Sequence, residues 1–247
     1  MSVVAIIAAA GSGTRLGSQG PKALVGLGGI PLIVHAVRSM EKSGVVERAV
    51  VSAPADTLDI FRRILADAGY EEGGDFPVTV VAGGATRQAS VSRALDASGQ
   101  SDYVLIHDAA RPLTPPEVIA SVVDALQTGR RAVIPAIPVV DTIKEVCSWG
   151  VIGDDGVVGE DFEEVVGTPQ RSKLRAVQTP QGFETALLRE VHAAFAERAV
   201  SEESAASDDA TLVEQTGEKV AVVEGSERSL KITHPLDLTV CEFLYAQ

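Results

Sequence analysis

Cysteine is scarce in this chain: there are two in 247 residues, Cys147 and Cys241, far apart in the sequence. That excludes a disulfide framework and a Cys-based metal-ligand spacing, and it fits free thiols in a reducing compartment, the cytoplasm. No run of about 20 apolar residues occurs, so the sequence offers no membrane-spanning helix and no membrane partner. Positive charge is also short, with 21 Lys and Arg against 34 Asp and Glu, a net charge of −13. A non-specific nucleic-acid binder would carry a basic stripe, so that class is excluded. Any anionic ligand must instead be met by cations gathered locally. Much of the acid lies in 154–164 and 197–218 and reads as solvated surface. No internal repeat and no low-complexity linker interrupts the chain.

Hydrophobic residues make up 45% and charged residues 22%, ordinary proportions for a globular protein able to bury a large core. The apolar run 3–10 ends at Gly11-Ser12-Gly13-Thr14-Arg15-Leu16-Gly17, followed by Pro21-Lys22. No positive charge precedes the run and it is short for a signal h-region, so it reads as a buried strand rather than a leader. Glycines there let the backbone approach a ligand and turn its N–H groups toward phosphate oxygens. A dinucleotide-binding turn does not fit, because the glycine spacing is one residue too long and no acidic residue ends a second strand about 20 residues on. A Walker-type loop does not fit either, since no Gly-Lys-Ser/Thr follows. A nucleotidyltransferase loop of the form Gly-x-Gly-x-Arg-Leu…Pro-Lys fits every residue.

Beyond the loop, helical and strand patterns alternate. Helices are expected over 32–42, 56–68, 86–95 and 114–127, the last with Thr114 and Glu117 as a capping box. Strands are expected over 45–52, 78–81, 103–107 and 132–137. Such alternation implies a mostly parallel sheet with helices on both faces, a Rossmann-like α/β fold. Ligands of such sheets bind at the carboxyl ends of the strands. Segments 11–22, 83–87 and 108–111 all fall there, so distant parts of the chain converge on one crevice.

Between 138 and 178 helical periodicity disappears and short β-rich pieces appear, at 139–146, 156–158 and 174–177. We read a projecting β-arm on a single domain spanning 1–247. An isolated hairpin is marginal in water, so the arm is expected to pack on a partner, as in a homodimer with exchanged arms. After it, 179–182 reads as a turn and 184–198 as a helix. Further on, 207–210 caps another helix, 220–224 is a strand, and the final helix covers 233–245 with Thr233 as its cap.

Three constellations carry chemistry. Gly83-Gly84-Ala85-Thr86-Arg87-Gln88-Ala89-Ser90-Val91 has glycines for close approach and a hydroxyl in the first helical turn; a plain helix cap is its other reading. His107-Asp108-Ala109-Ala110-Arg111-Pro112 delivers an acid and a base to the crevice rim, where Asp108 is a candidate for holding hydrated Mg²⁺ or for a simple pair with Arg111. His107 reads as a packed histidine rather than a catalytic base. Lys231 stands in Ser229-Leu230-Lys231-Ile232-Thr233, just before the last helix.

Taken in order, these segments, with Asp141-Thr142-Ile143-Lys144 and Thr179-Pro180-Gln181, resemble the 2-C-methyl-D-erythritol 4-phosphate cytidylyltransferase family over essentially the whole chain. The resemblance implies a Rossmann-like nucleotidyltransferase fold, a homodimer joined through the β-arm, CTP and a sugar-alcohol phosphate as substrates, and Mg²⁺. It implies that Arg15 and Lys22 stabilise the transition state. Ala9, Ala10, Gly11, Gly13, Gly84, Ala85 and Ser90 would surround the nucleotide. Asp108, Arg111 and Thr179 would lie near the sugar phosphate, which Lys231 positions. Thr142 and Arg171 (or its neighbour Arg175) would reach from the arm to the sugar phosphate of the other subunit. Ser229 departs from the family, which often has asparagine there. A ribitol 5-phosphate cytidylyltransferase shares most of these motifs, and a non-catalytic nucleotide-binding module is the reading from another class.

Overall fold

The computed structural model describes residues 1–11, 13, 16, 20–152, 158–201 and 205–247, side chains at 148–152 and 158–162 excepted. It resolves two compact units, Met1–Pro135 with Gln178–Gln247, and Ala136–Val177. The first unit starts with β1 (Val3–Ala8), which is buried at five of its six positions. A strand covered on both faces has no polar side to alternate with, hence its unbroken apolar run. A 3-10 turn at Lys22–Leu24 follows, then a small hairpin of β2 (Gly26–Leu27) and β3 (Ile30–Pro31). Next come α1 (Leu32–Lys42), β4 (Arg48–Ala53), α2 (Leu58–Asp67), β5 (Val78–Ala82), α3 (Arg87–Ala97), β6 (Tyr103–Asp108), α4 (Pro116–Gln127) and β7 (Ala132–Pro138). β1 pairs in parallel with β4 and with β6, and β4 pairs in parallel with β5. The register sets Ala8 beside Asp108 and Ser52, so the loops after β1, β4 and β6 leave the sheet at one edge. Two apolar layers cover the sheet. One joins Ile7 and Leu105 to Phe61 and Ile119, and the other joins Ile6 and Ile106 to Val91 and Leu188.

The second unit holds β8 (Glu145–Ile152) and β9 (Val158–Gly167), an antiparallel ladder running from the Glu145–Gly167 pair to the Ile152–Val158 pair. β10 (Arg175–Val177) pairs with residues 136–138 of β7. The first β-rich piece therefore starts later than its pattern suggests, at Glu145 rather than Val139, and β9 is a ten-residue strand that the acid-rich sequence had hidden. Of the expected piece 156–158, residues 156 and 157 lie outside the described residues.

The chain then returns to the first unit through β11 (Gln181–Glu184), α5 (Thr185–Ala194), α6 (Asp209–Glu214), β12 (Ala221–Glu224) and α7 (Pro235–Tyr245). β11 is a correction: 179–182 was expected as a turn leading to a helix at 184. Instead β11 inserts antiparallel between β6 and β7, with Phe183 fully buried. Gly182 is needed there, because a Cβ would meet Val122 and Leu126 of α4. Four residues are too few to show a period. Unit-one strand order is thus β7-β11-β6-β1-β4-β5, with β12 on β7. Two caps also differ. Thr114 donates its hydroxyl to the Arg111 carbonyl, and Pro115 occupies the N-cap of α4. His234, not Thr233, caps α7, in a reciprocal box with Asp237.

Candidate active site

A cleft of about 350 Å³ opens at the carboxyl ends of β1 and β6. Ala9, Ala10, Gly11 and Gly13 line one side, Gly84, Ala85 and Ser90 another, and Lys22, Asp108 and Lys231 face in with them. All ten were expected at a site from the sequence. Arg15 lies outside the described residues. Gly13 has φ 72°, a left-handed conformation that favours glycine. The amide of Lys22 donates to the Gly11 carbonyl at 3.3 Å, which brings the end of the loop back to its beginning.

The opposite wall is the start of α3. Thr86 caps the helix, its hydroxyl accepting from the Ala89 amide at 3.1 Å. Ser90 Oγ accepts the Gly84 amide at 3.0 Å and donates to the Thr86 carbonyl at 2.8 Å. The Ser90 hydroxyl therefore shapes the glycine turn from beneath. A Cβ on Gly83 would come within 2.7 Å of Ala10 Cβ and 2.9 Å of Ser90 Oγ, so the two walls approach as closely as glycine permits.

On the floor, Asp108 is held by three cations. Lys231 Nζ is 2.8 Å from Oδ2, Arg111 Nε is 3.8 Å from the same oxygen, and Arg87 Nε is 3.7 Å from Oδ1. Burial alone would raise the Asp108 carboxyl, but Arg87, Lys231 and Arg111 hold it well below the usual carboxylate range. Arg111 Nη1 also donates to the Ser229 carbonyl at 2.6 Å. The other side of Arg87 is bound to Asp209 at 2.8 Å, and Asp209 accepts His192 Nε2 at 2.9 Å. Burial works against the charge of the Arg87 guanidinium, yet Asp209 and Asp108 together outweigh it and raise its pKa. Arg87 and Asp209 are the support that site reasoning from sequence missed. Arg87 was visible in its motif, while Asp209 looked like part of a helix cap.

Thr179 and His107 lie under Asp108. Thr179 Oγ1 accepts the Asp108 amide at 3.1 Å and bonds His107 Nδ1 at 2.9 Å. Thr179, expected at the acceptor, is buried and does not line the cleft, because its hydroxyl is engaged in this support. Burial pushes the His107 imidazole down to about 4, so it is neutral near pH 7 and shielded from the cleft, in keeping with a packed role. Thr142 and Arg171 belong to the second unit, and both are exposed. Arg171 Nη1 donates to the Val140 carbonyl at 2.6 Å, and Arg175 Nη1 donates to the Ser172 and Leu174 carbonyls.

Asp108 was expected to hold Mg²⁺, and the donor set does not fit that. A carboxylate already shared by three cations is a poor ligand for a fourth. What the cleft offers is a glycine-lined, narrow wall for a flat or extended group, and Lys22, Arg87 and Lys231 against the one carboxylate of Asp108, in a chain of net charge −13. That suits a ligand with several phosphate charges.

The profile of the 2-C-methyl-D-erythritol 4-phosphate cytidylyltransferase family matches residues 3–247. The chain belongs to this family. The 2-C-methyl-D-erythritol 4-phosphate cytidylyltransferase of Rhodococcus jostii (strain RHA1) is 46% identical over 98% of this chain and 94% of its own. That of Streptomyces coelicolor is 44% identical over 98% of this chain and 84% of its own. Among solved structures, the family's protein from Thermus thermophilus superposes with a TM-score of 0.73 at 35% identity, covering 100% of both chains. The 4-diphosphocytidyl-2C-methyl-D-erythritol synthase of Anaerococcus prevotii gives 0.76 at 29% identity, covering 100% of this chain and 99% of its own. The family is one of nucleotidyltransferases, and the mostly parallel, helix-covered sheet is its fold.

Proposed function

We propose that the chain transfers CMP from CTP to 2-C-methyl-D-erythritol 4-phosphate, giving 4-diphosphocytidyl-2-C-methyl-D-erythritol and pyrophosphate. The observation that carries the reading is the convergence of Lys22, the Gly84 turn and the Asp108–Lys231 pair on one cleft. Family membership supports the same acceptor. The acceptor phosphate is already an anion near neutral pH, so attack requires no general base, in agreement with a neutral, buried His107. One of its oxygens forms a bond to the α-phosphorus of CTP. The bond from that phosphorus to the bridging oxygen breaks, and pyrophosphate leaves with the electron pair.

Catalysis of such transfer is mostly positioning and charge stabilisation. Lys22, and Arg15 seven residues before it in sequence, take the charge that grows on the leaving pyrophosphate. Ala9, Ala10, Gly11, Gly13, Gly84 and Ala85 receive the nucleotide, with Ser90 fixing the Gly84 turn. Lys231 and Arg111 attract the acceptor phosphate, and Asp108 sets where they stand. CTP is taken as its Mg²⁺ complex, the ion held chiefly by the substrate phosphates and water, as Mg²⁺ usually is.

The protein acts as a cytoplasmic homodimer in this proposal. The arm of one protomer brings Thr142 and Arg171 toward the acceptor bound by the other. Among the described residues no helix is long and apolar enough to cross a membrane, and nucleic acid plays no part. Pyrophosphate release decides the matter: fast release with CTP and 2-C-methyl-D-erythritol 4-phosphate is expected. Faster release with ribitol 5-phosphate, or CTP binding with no release on either acceptor, would contradict it.

A further inference from the structure

The strap that carries Lys231 is neither helix nor strand between β12 and α7, yet it must hold an ammonium in one place. Three ties do so. Arg111 donates to the Ser229 carbonyl at 2.6 Å, the Ile232 amide donates to the Ala110 carbonyl at 2.9 Å, and the amides of Thr233 and His234 both donate to Asp237 Oδ2 at 2.7 Å. The third tie alone is made by a carboxylate, and it stands in the first turn of α7. Under the strap, a small apolar cluster joins Ile232 to Leu27, Leu32 and Cys241, with Leu230 and Leu238 packed against it. That cluster roots the strap, the hairpin after Lys22 and α7 in one body. At the far end of α7, the Glu242 carboxylate accepts the Gly28 amide at 3.0 Å, so one helix grips both cation-bearing segments.

Resting on the reaction proposed above, we infer that Asp237 is a positioning residue: its carboxylate anchors the Lys231 strap to α7 and thereby sets the Lys231–Asp108 pair at the acceptor end of the cleft. The two backbone bonds hold the Asp237 carboxyl below its ordinary range, that of His234 foremost, and the charge of Lys22 acts in the same direction. Asp237 does not line the cleft, so its effect passes through the strap, whose Lys231 and Thr233 do.

The test is a double-mutant cycle with Lys231→Ala, read in steady-state kinetics of the full chain. Asp237→Ala should raise KM for the sugar phosphate about tenfold while KM for CTP changes less than about twofold. Asp237→Asn keeps an acceptor for the two amides and should restore most of that loss. With Lys231 already removed, Asp237→Ala should add less than about twofold. A folded Asp237→Ala protein with normal acceptor KM, or the same tenfold effect in both backgrounds, overturns the inference. Amide exchange provides a reading that needs no turnover. The amides of Thr233 and His234 should exchange at least about tenfold faster in Asp237→Ala, while that of Ile232 keeps its protection. Unchanged exchange refutes the anchor even if the reaction proves to be a different one, and a wild-type chain without turnover refutes the reaction alone.

Discussion

In the first unit β1 is buried at five of six positions, whereas in the second Val140, Val146, Val165 and Val166 stand between 45% and 77% exposed. The first unit closes two apolar layers over its sheet, and those layers carry the loops of the cleft. Among the described residues, the buried core clusters draw none from the second unit beyond β7. A two-stranded ladder exposes too much of its apolar surface to be stable on its own. The comparison teaches that one unit is specified by its own burial, while the other leaves apolar side chains such as Val165 and Val166 exposed. A second copy of the chain is the partner that the proposed homodimer supplies.

Four changes test that contrast, from the largest effect to the smallest. Phe183→Ala in β11 should cost about 4 kcal/mol of stability, independent of protein concentration, because it empties a fully buried site between β6 and β7. Denaturant unfolding checks it, and a loss under about 1 kcal/mol would mean that β11 is not part of the core. Lys22→Ala should leave the fold intact and slow turnover about a hundredfold or more, roughly 3 kcal/mol of barrier. Near-normal turnover in that folded variant removes Lys22 from the chemistry.

The third change concerns pH. His107 is depressed from 6.5 to about 4, so the folded state refuses a proton that the unfolded chain accepts. Its contribution is whole above about pH 6.5 and declines as pH falls toward 4, by up to about 3 kcal/mol. His107→Asn should flatten that limb of the stability curve, and an unchanged slope would put the proton elsewhere. The smallest effect belongs to the arm. Val165→Thr with Val166→Thr should alter single-chain stability by less than about 0.5 kcal/mol, since both sites are exposed. The same pair should weaken dimerisation measurably by sedimentation. A large loss of stability with no change in assembly would give the arm a core of its own.

Much of this was legible beforehand because period and burial coincide. α1 begins and ends where its pattern does, at Leu32 and Lys42, and β1, β5 and β6 stand within a residue or two of expectation. Asp108 and Arg111 were legible as a pair because four residues of one chain carry both. Asp209 was not. In sequence it is one of two adjacent acids before a helix, and only the fold sets it between Arg87 and His192. Where the Thr179 hydroxyl points was not legible for a related reason. A motif match names a residue, but whether its hydroxyl faces the cleft or His107 depends on how the chain leaves the turn before β11.

By itself the sequence determined the alternating sheet, the glycine loop and the cations near it, because local pattern and residue chemistry act over a few positions. Tertiary structure alone decided the rest. It inserted β11 between β6 and β7, and it brought Lys231 across from the far end of the chain to within 2.8 Å of Asp108. It also surrounded one carboxylate with three cations, turning a candidate metal ligand into the hub of an ion-pair cluster. The physical reason is that charge interactions depend on distance in space, and no spacing along the chain records that distance.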